Sequence, residues 1–380
     1  MVDYKVICAD SHVNPAPDFW QDYLPESLRH LAPRIEQGDD ADYVVFEGRR
    51  KKLNLIGAQA GRSGENFKIE GRLSDMRGGG WLPDERLKDM DQDGLDAAVM
   101  FGGGPLGTTS DELYIESYDA YNRWLADFCA YEPKRLIGVA YLPMRDIDET
   151  ITMMRAAAKR GFKACNIPAF PQAKTLKEMD IAGGAQTLAL TGNPFGELQY
   201  DDPQFDRFWA EAQDLDMTIC IHLGARMARW QEPRFFLSDL LMTKLAMAEP
   251  IALLIFGGVF QRFPKLRFVS VESGVGWFAF AANYMDMTWQ KQRYWTKNKL
   301  TEPPSFYMDQ NVYGSFIHDK VGVDTRHMPG ARNIMWSSDY PHSETSYPES
   351  RQCIENLFAG VPEDEKYEII CGRAKRVFGL

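Results

Sequence analysis

The chain has 380 residues, a net charge of −11 and a sequence pI near 5.2, which argues against nucleic acid or an anionic membrane as its main partner. Apolar residues make up 44% of the chain, enough for a sizeable core and too many for a disordered protein. No signal peptide, no apolar run of membrane-spanning length and no CxxC pair is evident, so we expect a cytoplasmic protein with six reduced, mostly buried cysteines.

Short apolar runs alternate with amphipathic helical patterns along the chain. Seven runs are predicted as strands: 5–10, 96–102, 135–143, 163–168, 217–224, 267–273 and 333–340. Helical patterns cover 116–132, 148–161 and 202–216, with Asp148 and Asp202 at positions typical of N-caps. This alternation predicts parallel βα units of the α/β class. We therefore predict one domain, a (β/α)₈ TIM barrel whose eighth strand lies within 310–317.

Three segments depart from the repeat and are predicted as insertions: 21–80, 169–200 and 286–310. Insertions in barrels usually lie in loops, and the loops that follow the strands build the active site. The basic run 49–52 inside the first insertion is interpreted as a solvated surface.

Polar residues collect where the predicted strands end. They are Asp10 and His12 on the first strand, His222, Glu272, and Asp339 with His342 three residues later. Because residues i and i+2 of a strand point to the same side, Asp10 and His12 are both expected to face the barrel mouth. Unpaired buried charges cost several kcal/mol, and a divalent cation would compensate them. Imidazole and carboxylate ligands together suit zinc, manganese or iron.

The chain resembles the amidohydrolase-related family that includes aminocarboxymuconate-semialdehyde decarboxylase and related aromatic-acid decarboxylases. The resemblance spans nearly the whole chain and rests on segments such as ADSHVNPAPDFW, RLKDMDQDGLDAAVMF, FGGVFQRFPKLRFVSVESGVGW and MWSSDYPHSE. It implies a TIM barrel with a metal at its mouth. In this family the first-strand ligand motif falls on Asp10 and His12, the fifth-strand histidine on His222 and the eighth-strand aspartate on Asp339. The sixth-strand catalytic position, often histidine in the decarboxylases, falls on Glu272.

The metal assignment reflects where the chain departs from the family pattern. Asp10 stands where relatives often have histidine, which makes the site more anionic; zinc is still favoured, with manganese or iron as alternatives. A second ion bound through Glu272 is left open. Pro15 replaces a glutamate of close relatives, and Lys163 begins the fourth strand, so a carbamylated-lysine bridge is not expected. Arg373, where relatives often have asparagine, is interpreted as structural.

Each site residue has a functional and a structural interpretation. Asp339 is predicted to bind the metal and to accept a proton from the metal's water, with a turn cap as the alternative. Glu272 is predicted to be a proton donor or base, or an extra ligand, rather than a carboxylate at the N-terminus of a helix over 275–284. His342 is predicted to lie in the mouth beside Asp339, as a further catalytic residue outside the ligand set, with a purely structural role as the alternative. The remaining histidines, His30, His318 and His327, are predicted to be surface or structural residues. Four aromatic residues are predicted to shape a pocket: Trp20, Trp81, Trp277 and Tyr340.

These residues leave several functions open. Decarboxylation of a small unsaturated or aromatic carboxylic acid is slightly favoured over hydrolysis of an amide, ester or lactone by metal-bound water. Iron-dependent oxygen chemistry and a metal-binding scaffold without catalysis are further alternatives. The expected partner is a small carboxylic acid, and the chain is expected to form a homodimer.

Overall fold

A closed barrel of parallel strands lies at the centre of the computed structural model, which describes residues 3–16, 18–171, 198–223 and 233–380. Its strands are β1 (Ile7–Val13), β6 (Ala97–Gly102), β7 (Leu136–Gly138), β8 (Ala140–Tyr141), β9 (Ala164–Asn166), β10 (Thr218–His222), β11 (Phe268–Val271), β12 (Val312–Phe316) and β13 (Ile334–Trp336). Strands β7 and β8 are two parts of the single strand predicted over 135–143, so the barrel has the eight predicted strand positions.

Neighbouring strands pair in parallel in the order β1-β6-β7 and β8-β9-β10-β11-β12-β13. The ring closes between the last strand and the first, because the Asp339 N–H donates to the Asp10 carbonyl at 3.1 Å and the His12 N–H donates to the Tyr340 carbonyl. Closure therefore brings the segment that follows β13 directly against β1. The predicted eighth strand is confirmed as β12.

Helices surround the barrel. Among the described residues the α-helices are α1 (Trp20–Tyr23), α2 (Pro83–Asp93), α3 (Asp111–Cys129), α4 (Ile147–Lys159), α5 (Asp206–Asp214), α6 (Phe236–Leu245), α7 (Ala248–Phe256), α8 (Val259–Arg262), α9 (Phe278–Gln292), α10 (Pro304–Asn311), α11 (Lys320–Asp324), α12 (Ser350–Leu357), α13 (Glu363–Tyr367) and α14 (Arg373–Val377). Short 3₁₀ turns and one π-turn, Glu368–Gly372, connect several of them. No helix within the described ranges has the length and apolar content needed to cross a membrane.

One predicted helix start is wrong. The N-cap of α4 is Asp146, whose side chain accepts the Glu149 N–H, so the predicted cap Asp148 lies inside the first turn. Asp202 does cap the short turn ahead of α5. Segment 286–310, predicted as an insertion, contains the end of α9 and most of α10.

The first predicted insertion contains regular structure of its own. It folds into an antiparallel sheet, in the order β2 (Arg34–Gln37), β3 (Asp42–Phe46), β4 (Arg49–Asn54) and β5 (Glu70–Gly71). The basic run 49–52 lies in β4 and is exposed, as predicted. Most of the predicted insertion 169–200 falls outside the described residues.

The barrel strands are apolar and buried on both sides, as expected for parallel strands covered by helices. Large side chains such as Trp209, Phe101 and Phe268 are fully buried. Phe101 lies inside the barrel, where the centroid of its ring is 5.2 Å from that of His222. Of the six free cysteines, five are buried and Cys353 is partly exposed. Lys163 directly precedes β9, and Arg373 donates to the Ile334 carbonyl at 2.6 Å, which agrees with its structural interpretation.

Candidate metal centre

The polar residues selected from the sequence meet at the ends of four barrel strands. Asp10 and His12 belong to β1 and are 0% and 3% exposed, and His222 is the last residue of β10. Glu272 directly follows β11 and is 6% exposed, and Asp339 lies three residues beyond β13 and is 0% exposed. The barrel therefore brings together residues that are more than 300 positions apart in the chain.

The nitrogen and oxygen atoms of these side chains point at one another. The His12 Nε2 atom lies 2.9 Å from Asp339 Oδ1, 3.4 Å from Asp10 Oδ1 and 3.7 Å from Glu272 Oε2. The His222 Nε2 atom lies 3.3 Å from Glu272 Oε2, 3.6 Å from Asp10 Oδ1 and 3.3 Å from His12 Nε2. Two imidazoles and three carboxylates thus share one small buried volume.

Five carboxylate oxygens of this cluster are buried without a hydrogen-bond partner among the described residues. They are both oxygens of Asp10, both oxygens of Asp339, and Oε2 of Glu272. One atom from each of Asp10, His12, His222 and Glu272 lies within 4.8 Å of the others, and the same holds for His12, Glu272, Asp339 and His342. Since buried carboxylates without partners are strongly unfavourable, this donor set fits a divalent cation.

The electrostatics of the cluster also favour a bound cation. Burial opposes a charged imidazole at His12, but Asp10 and Asp339 outweigh it and raise the pKa of His12 to about 10. Burial likewise opposes ionisation of Asp10, yet His12 and His222 hold the pKa of that carboxyl below its usual range. Burial and then the charge of Asp339 raise the pKa of Glu272. The pocket therefore favours positive charge beside the histidines, which a divalent cation supplies.

Two of the carboxylates sit on left-handed backbone. Glu272 has φ 57° and Asp339 has φ 56°, a conformation that non-glycine residues rarely adopt and that clusters at functional sites. The Glu272 N–H is fixed by the Ser315 hydroxyl at 2.9 Å, and the Asp339 N–H by Asp10. These backbone conformations turn both side chains toward the histidines.

His342 lies in the mouth, as predicted. Its Nδ1 atom is 2.9 Å from Asp339 Oδ1 and 4.0 Å from Glu272 Oε2, and its ring stacks on that of His12 with centroids 3.8 Å apart. Its side chain is 26% exposed, so it forms the outer side of the cluster. His30, His318 and His327 are exposed, in agreement with the prediction.

The predicted aromatic pocket is only partly formed. Trp277 lines a cavity of about 420 Å³ that also borders Glu272. Trp20 is instead part of the hydrophobic core, and Tyr340 is buried with its hydroxyl bonded to Asp89. Trp81 is partly buried outside the residues that line this cavity.

Two charged residues beside the cluster could not be identified from the sequence. Lys244, on α6, donates to Glu272 Oε1 at 2.9 Å and lies 3.1 Å from Glu344 Oε2. Lys244 also lines the cavity beside Glu272, whose other walls include Trp277, Phe316 and Leu245. Its contact with Glu272 comes from the packing of α6 on the barrel, which no spacing in the sequence encodes.

Comparison with known proteins identifies the class to which this site belongs. A sequence profile described as amidohydrolase matches residues 9–380, and the chain therefore belongs to the amidohydrolase family. The family prediction from sequence is confirmed, and so is the barrel fold.

Particular relatives are decarboxylases. The chain is 24% identical over 307 residues to a 2-amino-3-carboxymuconate-6-semialdehyde decarboxylase of Dictyostelium discoideum, with 79% of this chain and 77% of that protein covered. It is 26% identical over 302 residues to a gamma-resorcylate decarboxylase of Rhodococcus jostii (strain RHA1), covering 74% of this chain and 82% of the relative. The crystal structure of a dihydroxybenzoic acid decarboxylase from Polaromonas sp. JS666, with manganese and the inhibitor 2-nitroresorcinol bound, superposes with a TM-score of 0.64 at 18% identity, covering 100% of this chain and 98% of that one.

Proposed function

We propose that this protein is a metal-dependent decarboxylase of a small aromatic or unsaturated carboxylic acid. The observation that carries the proposal is the buried cluster at the ends of β1, β10, β11 and β13, with its five carboxylate oxygens that lack hydrogen-bond partners among the described residues. The decarboxylase relatives support the reaction type. We propose that the whole chain forms one catalytic domain.

Four residues are proposed to hold one divalent ion: Asp10, His12, His222 and Asp339. When bound, the ion would act as a Lewis acid that stabilises negative charge on substrate oxygens. The sequence favours zinc, but a donor set this rich in carboxylates suits manganese better, and manganese is bound in the Polaromonas decarboxylase. We therefore propose Mn²⁺ as the bound ion, with Zn²⁺ or Fe²⁺ as alternatives. Measuring the metal content per chain tests whether Glu272 binds a second ion.

Glu272 is proposed to be the catalytic acid. Its protonated carboxyl would donate a proton to the substrate carbon that carries the carboxylate. The bond from that carbon to the carboxylate then breaks, its electron pair returns to the conjugated system, and carbon dioxide leaves. Glu272 regains its proton from water. His342 is proposed to hold Asp339 through its Nδ1 atom rather than to touch the substrate.

The cavity beside Glu272 is the proposed substrate site. Its volume of about 420 Å³ suits a small molecule, and Trp277 and Phe316 offer apolar surface for a conjugated or aromatic body. The cavity places such a body next to the proposed acid.

Product analysis in ¹⁸O-labelled water tests the reaction. The Mn²⁺-loaded protein would be incubated with γ-resorcylate or with 2-amino-3-carboxymuconate-6-semialdehyde, the compounds after which the two decarboxylase relatives are named. We expect carbon dioxide and a product that has gained one solvent proton, with no activity in metal-free protein. Label in the product without carbon dioxide would establish hydrolysis instead, oxygen consumption would favour the oxygenase alternative, and no reaction with either acid would contradict the proposal.

The predicted homodimer and cytoplasmic location remain predictions. A second copy of the chain would cover the exposed aromatic stripe on α9, where Phe280 and Tyr284 are 71% and 55% exposed and stack at 5.9 Å. Light scattering during gel filtration should give twice the monomer mass, and Phe280→Asp should reduce it; monomeric wild type would contradict the prediction.

A further inference from the structure

Lys244 connects the metal cluster to the protein exterior. Its ammonium lies between two carboxylates, 2.9 Å from Glu272 Oε1 and 3.1 Å from Glu344 Oε2. The side chains of Glu272, Lys244 and Glu344 are 6%, 22% and 37% exposed. Charge therefore alternates along a short row from the buried cluster toward solvent.

The two oxygens of Glu272 have different surroundings. Oε1 accepts the hydrogen bond from Lys244, whereas Oε2 lies 3.3 Å from His222 Nε2 and 3.7 Å from His12 Nε2 and has no hydrogen-bond partner among the described residues. The backbone of Glu272 is itself fixed, because its N–H donates to the Ser315 hydroxyl. With the backbone and one oxygen held, the position of the second oxygen is determined.

We propose that Lys244 is a positioning residue for Glu272. The ammonium holds Oε1 and so keeps Oε2 directed at His12 and His222, the two histidines of the proposed metal centre. Glu344 contacts the same ammonium from its outer side, and Glu272, Lys244 and Glu344 all line the neighbouring cavity. The effect on turnover rests on the proposed function, whereas the effect on the position of Glu272 does not.

A purely structural ion pair that fastens α6 to the barrel is the competing explanation. It predicts lower stability on loss of Lys244, with Glu272 left in place by Ser315 and by its surroundings. Positioning predicts instead that the Glu272 carboxylate moves while the barrel stays folded. The two explanations therefore differ in an atomic position that can be measured.

Crystal structures of three variants make that measurement. Lys244→Met keeps the length of the side chain without its charge, and Lys244→Arg keeps charge and donors. Lys320→Met is the matched control, because Lys320 is an exposed lysine on α11 that pairs with Asp324. In Lys244→Met we expect the Glu272 carboxylate to move by about 1 Å or more, a displacement large enough to affect catalysis. Lys244→Arg should restore its position, and Lys320→Met should match wild type.

Turnover of γ-resorcylate by the Mn²⁺-loaded variants gives a second readout. Lys244→Met should lower kcat about 10- to 100-fold, as for other residues that orient a metal site, with Lys244→Arg recovering most of it. In a Glu272→Gln background, Lys244→Met should cause no further loss, because residues that act through one another are not additive. Additive losses would contradict the proposal.

The crystallographic result stands without any activity. If wild type turns over no acid, the proposed function fails while a displaced Glu272 in Lys244→Met still supports the role of Lys244. A Glu272 carboxylate that superposes on wild type in Lys244→Met overturns that role whatever the activity. Should Lys244→Met not fold, Lys244→Gln, whose shorter side chain does not reach Oε1, takes its place with the same expected and contradicting outcomes.

Discussion

Mn²⁺ should stabilise the folded protein, and Asp339→Asn should remove most of that stabilisation. Asp339 is fully buried, and both its oxygens lack a hydrogen-bond partner among the described residues. Asparagine has the same shape and tolerates the left-handed backbone found at this position, φ 56°, so the substitution removes charge with little strain. The variant therefore tests the bound ion rather than the fold.

The size of the effect follows from ligand linkage. Free Mn²⁺ at 100 times its Kd adds about 2.7 kcal/mol to the free energy of unfolding, and at 1,000 times about 4.1 kcal/mol. With an unfolding entropy of about 2.1 cal/mol/K per residue, a chain of 380 residues has an unfolding entropy of about 0.8 kcal/mol/K. The Tm should therefore rise by about 3 to 5 °C.

Differential scanning calorimetry of metal-free protein, with and without Mn²⁺, measures this shift. The control is Asp324→Asn, which alters an exposed carboxylate paired with Lys320 and should keep the full wild-type shift. A wild-type shift below about 1 °C at saturating Mn²⁺, or an equal shift in Asp339→Asn, would refute the assigned metal centre.

Three further predictions concern catalysis, packing and acid stability. Glu272→Gln should lower turnover about 100-fold or more, with substrate affinity little changed. A normal kcat with metal bound would show that Glu272 is a structural carboxylate and not the catalytic acid. Gly102→Ala should lower the free energy of unfolding, measured with urea, by about 1–3 kcal/mol, because a Cβ there overlaps the Tyr121 hydroxyl. A Cβ at Gly107 meets no atom within 4 Å, so Gly107→Ala should be neutral. Equal urea midpoints for the two variants would contradict this prediction. Burial opposes ionisation of Asp89, but Arg77 and Tyr340 outweigh burial and lower the pKa of Asp89 in the folded state. Ionised Asp89 therefore adds to the free energy of unfolding above the pKa of the unfolded chain, near 3.9, and this contribution is lost as the pH falls below that value. The stability gap between wild type and Asp89→Asn should thus narrow in acid, and a gap independent of pH would contradict the assignment.

The barrel was predictable because its strands are short, apolar and bounded by helices. Strand β12 is an example, since it was expected within 310–317 and lies at Val312–Phe316. The small antiparallel sheet was missed although it carries a signal. Glu47 and Gly48 join β3 to β4 and both have positive φ, the backbone of a two-residue hairpin turn, and the β-branched and aromatic residues of DYVVF precede that turn.

The cluster was predictable because parallel strands end at the same face of a barrel. Asp10, His222 and Asp339 could be placed together from strand order alone, without knowledge of their rotamers. Lys244 could not, because its contact with Glu272 depends on the rotation of α6 and on its docking angle against the barrel. These are set by packing between distant parts of the chain, and the residues around Lys244 carry no pattern that indicates its partner.

Anomalous diffraction at the manganese edge, from crystals grown with Mn²⁺, locates the proposed ion. We expect one strong peak per chain within bonding distance of the Asp10, His12, His222 and Asp339 side chains, and its disappearance in crystals of His222→Ala. A peak elsewhere in the chain, or a peak at this position that persists at full height in His222→Ala, would contradict the proposed metal centre.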